Sequence, residues 1–161
     1  MQPYGNTQEG KNYCIGVWTD PEQEQEAIWD LKYHQFQELL LSLNANNTIV
    51  LWDCADVDRS VNCESESSST GTIRHRFLNS VGGSGQEKAT CMAWLVTQQN
   101  QFVVGYDSGA IVFFDILSHS LNRVKTLGTA QINTIVPHIS RALLCVGHEN
   151  GALSFFDYSA D

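Results

Sequence analysis

Three segments of this chain close on the same short signature: Leu51-Trp52-Asp53, Phe113-Phe114-Asp115 and Phe155-Phe156-Asp157. Each aspartate stands six residues beyond a turn residue, Asn47, Gly109 or Gly151. A chain that repeats a turn, a strand and an aspartate must build the same supersecondary unit several times, because one such unit cannot bury its own apolar face and needs a neighbour to cover it. The last two aspartates are 42 residues apart (157 − 115) and the first two 62 apart (115 − 53), a polar stretch having been inserted between them.

The residues before each aspartate supply two more strands. In the first unit Ile28, Asp30 and Lys32 alternate with Trp29, Leu31 and Tyr33, Leu39 to Leu43 is apolar, and Thr48 to Trp52 follows. The Asn44-Ala45-Asn46-Asn47 segment is hairpin chemistry, since asparagine tolerates positive φ and hydrogen-bonds its own backbone. Residues 89–115 and 132–157 repeat the plan, with turns at Tyr106-Asp107-Ser108-Gly109 and His148-Glu149-Asn150-Gly151. Outer strands follow two of the units, at Ile73 to Phe77 and Leu121 to Leu127. Apolar middle strands and alternating outer ones predict sheets covered on both faces and wet at one edge.

A unit of this size and strand count is the blade of a β-propeller. The predicted fold is all-β, an open arc of about three four-stranded antiparallel blades within one propeller domain spanning 1–161. Residues 27–78 and 89–127 form two blades and 132–157 an incomplete third, with 13–18 as the outer strand of a preceding blade. Propellers cover their blade faces by closing a ring, so an arc this short leaves apolar faces bare. The expectation is a part of a longer protein, with closure by assembly of copies as the alternative.

The net charge is −9, and residues 1–66 hold 12 acids and 3 bases whereas residues 67–161 hold 6 of each. That field repels phosphate backbones and argues against nucleic acid as a partner. No apolar run reaches the ~20 residues of a membrane span, and the polar start lacks a secretion signal, so the expected location is cytoplasmic, with any membrane association made through partners. The five cysteines have no ligand-like spacing, which favours free thiols.

Residues 55–72 form an acidic, serine-rich loop insert. Ser65, Ser67, Ser68 and Ser69 beside Glu64 and Glu66 suit an acid-directed kinase, against the alternative of an unmodified spacer. Gly82 to Lys88 lacks the Lys and Ser/Thr that complete a phosphate loop. The five histidines are dispersed in sequence, with His138 and His148 the two that could meet in space, and no nucleophile or carboxylate pair stands out. The expectation is a non-enzyme with no cofactor and no metal. The repeat register places Asp20, Glu22, Glu24, Glu26, Tyr106, Asp107, His148 and Glu149 on one face, as a candidate protein-binding surface.

The three terminal signatures look like WD repeats, and two longer blocks narrow the likeness. Tyr4 followed by Tyr13-Cys14-Ile15-Gly16 and then Ala27 to Tyr33 running ungapped to Trp52, together with Gln131-Ile132-Asn133 through Gly147-His148-Glu149 to Phe156-Asp157, resembles the central blades of the striatin family. The resemblance implies a propeller of a protein phosphatase 2A regulatory subunit, a scaffold that brings kinases to the phosphatase, with the calmodulin-binding part outside this chain. A WD-repeat adaptor for trafficking or ubiquitin ligation is the alternative, and a propeller enzyme a remote one. Glu26, Lys88 and Gln131 stand where WD repeats carry a glycine-histidine pair, and Phe114 and Phe156 replace the tryptophan. The usual buried hydrogen-bond tetrad is therefore not expected, and the blades should rely on apolar packing.

Overall fold

The computed structural model describes residues 26–55, 72–78 and 87–159. The expected strand at 13–18 and nearly all of the 55–72 insert lie outside them. Among the described residues the elements are strands alone, eleven of them in three antiparallel sheets.

The first sheet runs β1 (Ile28–Tyr33), β2 (Leu39–Asn44), β3 (Thr48–Asp53) and β4 (Thr72–Leu78), side by side in chain order. The second repeats that order with β5 (Ala89–Trp94), β6 (Gln101–Tyr106), β7 (Ala110–Asp115) and β8 (Ser120–Thr126). The third holds β9 (Ile132–Pro137), β10 (Leu143–His148) and β11 (Leu153–Asp157). This is an open all-β arc of propeller blades.

Local chemistry explains the sequence signature. Each turn between the second and third strands closes with a bond from residue 47, 109 or 151 to the carbonyl three residues back, at 3.0, 3.1 and 3.1 Å. That closing residue has φ of 66°, 82° and 83° in turn, the left-handed region that only glycine and, less readily, asparagine adopt at low cost. At the other end of the third strand, the Oδ1 of Asp53, Asp115 and Asp157 accepts the amide of Ala55, Leu117 and Ser159, each at 2.9 Å. The aspartate thus stops the strand by turning the chain on its own side chain. These bonds hold the carboxylates below the usual range: at Asp53 through the Ala55 amide and then Arg74, at Asp115 first through the Ser118 amide, at Asp157 first through the Ser159 hydroxyl.

Alternation along the strands sends each sheet's two faces to two neighbours. Leu41 pairs with Leu51 and Leu43 with Ile49 on the face that meets the second blade, where Phe102, Val104 and Phe114 receive them. Phe102 and Phe114 stack with centroids 5.2 Å apart, and Phe77 from β4 meets both edge-on at 5.1 and 5.7 Å. Val103 and Phe113, on the opposite face, meet Leu144, Val146 and Tyr158 of the third blade. Fully burying one such Leu or Phe side chain is worth roughly 1.5–3 kcal/mol, so the two seams dominate the stability of the arc.

The equivalent face of the third blade is open. Cys145 pairs with Phe155 there, and Phe155 and Leu153 are 69% and 65% exposed. The bare apolar face expected of a short arc is present at this end.

The inner strands β1, β5 and β9 carry matching irregularities opposite Asn44, Tyr106 and His148, and polar bonds join them. Asp30 Oδ2 accepts the Met92 amide at 3.1 Å, the Trp94 indole donates to the Lys32 carbonyl at 2.9 Å, and Thr90 Oγ1 donates to the Ile132 carbonyl. Backbones come close at this junction. A Cβ on Gly105 would lie 2.7 Å from Ile132 Cγ2 and 3.0 Å from Cys91 Sγ. Gly105→Ala is therefore expected to pry the second seam and cost about 1–3 kcal/mol in urea unfolding. Gly128→Ala, where nothing lies within 4 Å, serves as the near-neutral control.

Candidate functional site

The lead-in to each inner strand and the turn between the middle strands are tied together at one end of each blade. Ala45 N donates to the Ala27 carbonyl at 2.8 Å, Asp107 N to Lys88 at 3.0 Å and Glu149 N to Gln131 at 2.9 Å. Three turns and three lead-ins thus form a repeated platform. On it Glu26 and Glu149 are exposed and Asp107 is half-buried, its Oδ1 accepting the Lys88 amide at 3.0 Å. Asp20, Glu22 and Glu24 lie outside the described residues, as do Ser65, Ser67, Ser68 and Ser69.

Two of the expected surface residues point inward. Tyr106 is fully buried in the first seam, and burial, then the charge of Glu87, pushes its phenol far up. The register explains the difference: Tyr106 ends β6 on the same face as Phe102 and Val104, so alternation commits its ring to the core. His148 is 8% exposed and bonded through both nitrogens. The Ala130 carbonyl can only accept, so Nδ1 carries the proton across 3.2 Å, and Nε2 accepts the Ser154 hydroxyl at 2.9 Å. Asp107 and Glu149, one residue further on, are the outward members of their turns.

Polar bonds inside the blades also exceed what the sequence led one to expect. The Trp52 indole donates to Ser42 Oγ at 2.9 Å in a buried contact. His148 performs a related service from the turn of the third blade. The blades are therefore stiffened by buried hydrogen bonds as well as by apolar packing, which corrects the expectation of packing alone. Residues far apart in a repeat but paired across β2 and β3 make the Trp52 bond, so a linear comparison with the tetrad overlooked it.

Asn47 fastens one blade to the next at the platform. Its Nδ2 donates to the Glu87 carbonyl at 2.9 Å and its Oδ1 accepts the Ala89 amide at 3.1 Å. Nearby, the Lys88 ammonium sits 3.7 Å from the centroid of Trp29, which is 46% exposed. At the opposite end of the same seam His34, buried against Trp94 with centroids 4.6 Å apart, donates from Nε2 to the Gln99 carbonyl at 3.0 Å. Its Nδ1 accepts the amides of Phe36 and Gln37 at 3.1 and 2.9 Å.

Cys54, Cys91 and Cys145 are free thiols. Burial pushes Cys91 up to about 11 and also raises Cys54, so neither is a ready thiolate. Among the described residues no group of three or more His, Cys, Asp or Glu could hold a metal ion, and no helix is long and apolar enough to cross a membrane.

No family model matches the chain. It is similar to striatin-4 of Mus musculus, 25% identical over 136 residues, and to striatin-4 of Homo sapiens, 22% identical over 136 residues. Each alignment covers 82% of this chain and 16% of the relative. The β-propeller domain of Cps50 (Swd1) from Myceliophteria thermophila superposes with a TM-score of 0.64 at 15% identity, over 82% of this chain and 40% of that one. The chain has the β-propeller fold and is similar in sequence to striatin-4. The repeated turn, strand and aspartate plan supplies the propeller, and the striatin-4 alignments supply the particular likeness.

The clamp at Asn47 is directly testable in these striatin-like blades. Asn47→Gly keeps the backbone geometry and loses two hydrogen bonds, with an expected cost of about 1–2 kcal/mol. Asn47→Ala adds roughly 1 kcal/mol more for the left-handed φ. Amide exchange at Ala89 should accelerate in both variants while exchange in β10 stays slow.

Proposed function

We propose that this chain is a non-catalytic protein-interaction scaffold whose working face is the platform of lead-ins and turns. The observation that carries this reading is a frame of two buried seams, with polar clamps at both ends of the first, that holds the half-buried Asp107 and the exposed Glu149 at equivalent places in successive turns, with exposed Glu26 on the lead-in of the first blade. Loops fixed on such a frame can vary for recognition without disturbing the core. The acidic balance of residues 1–66 suits a partner surface with basic character.

The likeness to striatin-4 supports a finer role, that of a propeller in a protein phosphatase 2A regulatory subunit that gathers kinase and phosphatase. The chain spans 16% of the length of those relatives, so the role concerns the propeller's share of such an assembly, in the cytoplasm. The candidate surface comprises Asp20, Glu22, Glu24, Glu26, Asp107 and Glu149, with His148 and Tyr106 beneath it as support. Phosphate on Ser65, Ser67, Ser68 or Ser69 would deepen the same negative field.

Reversal of Glu22, Glu24 and Glu26 to lysine is expected to reduce co-purification of protein phosphatase 2A with the full-length protein by several-fold, with an unchanged melting temperature. Retention of the phosphatase at the original level would remove this surface from consideration. Full retention combined with loss on disrupting another face would relocate it.

A further inference from the structure

β4 and the turn between β7 and β8 meet at the outer edge of the first seam, and each contributes one histidine. His75 stands across from Leu51, with Phe77 across from Ile49 two residues on, and both look toward the second blade. The His75 ring meets Phe77 edge-on at 4.6 Å and 74° and lies stacked on His119 at 4.2 Å and 27°. His119 reaches it from the residue before β8, in a left-handed backbone conformation with φ of 53°. The turn accepts a conformation that histidine adopts at a cost, and the ring so placed closes the stack.

Two neutral imidazoles at this separation attract as flat aromatic rings do. Two imidazolium ions would face each other with no counterion between them. Among the described residues the surrounding charges offer no relief. On β4, Arg74 and Arg76 alternate with His75, and Arg74 is held by Asp53 at 2.7 Å. From the second blade the nearest carboxylate in the turn, Asp115, is engaged by the amides of Leu117 and Ser118 at 2.9 Å. Among the described residues no carboxylate bonds to either ring.

We propose that the His75–His119 stack is an acid-sensitive clasp on the first blade seam: its neutral form holds β4 against the second blade, and protonation loosens that edge. The inference stands apart from the platform and from the identity of any partner. Desolvation first, then the charge of His119, holds His75 below the ordinary histidine value of 6.5. The sign follows from that direction. The unfolded chain takes up its proton at a higher pH than the folded one, so the clasp's stability is fully present above about pH 6.5 and declines as the pH falls through the folded value.

The test is a proton NMR titration of the histidine rings, with amide exchange of β4 compared at pH 7.5 and pH 5.5. His75 should titrate below 6.5, and the protection of β4 amides, corrected for the intrinsic pH dependence of exchange, should fall in acid by at least several-fold more than that of β9 and β10. His119→Gly keeps the positive φ of the turn while deleting the ring. In this variant the His75 midpoint should move up and the acid sensitivity of β4 should shrink. A His75 midpoint at or above 6.5 in the unaltered protein, or an acid response of β4 that is the same with and without His119, would overturn the proposal. The titration of the unaltered protein decides the matter even if the variant fails to fold.

Discussion

Each sheet of this protein has two apolar faces, and the strand period of two assigns every side chain to one of them. Leu41 and Leu51 in the first blade, Val103 and Phe113 in the second, and Cys145 and Phe155 in the third occupy the same register positions. In the first two blades those positions vanish into a seam, and in the third Phe155 remains in water while Cys145 is half-buried. The rest of the structure answers to that constraint. Turns, strand stops and polar clamps all serve to bring one sheet flat against the next at a distance that leaves Gly105 no space for a side chain.

Much of this was legible in the residues. A positive-φ residue at 47, 109 and 151 and an aspartate at 53, 115 and 157 are local requirements, each satisfied by its own neighbours, and local requirements leave marks at fixed spacing. The apolar runs of β2, β6 and β7 announced burial on both sides. The likeness to striatin blades was visible in the same residues and agrees with the alignments to striatin-4.

What escaped were contacts between residues distant in sequence. Tyr106 looks like a turn residue in the primary structure, yet it is the last residue of a strand whose facing already fixes it inward. Ser42 and Trp52 meet only because β2 and β3 pair in a particular register. His138 and His148 were the histidines close enough in sequence to suggest a meeting, but each is occupied with its own turn, at the Ser140 amide and the Ala130 carbonyl. The pair that does form, His75 with His119, joins an outer strand to the following blade, and no spacing rule within one repeat encodes such a contact.

The Asn47 clamp bears on how such a chain can change over time. It grips the incoming segment by the Glu87 carbonyl and the Ala89 amide, groups that every residue except proline possesses in full. His148 likewise holds the Ala130 carbonyl. Because the anchor reads main chain alone, it places no demand on the side chains of the residues it grips. Outside β4 and β8 the linking residues can drift in length and composition, and 35 residues can stand between Asp53 and Ala89 where only 16 separate Asp115 from Ile132. The frame thereby tolerates novelty at the places where a scaffold has most use for it.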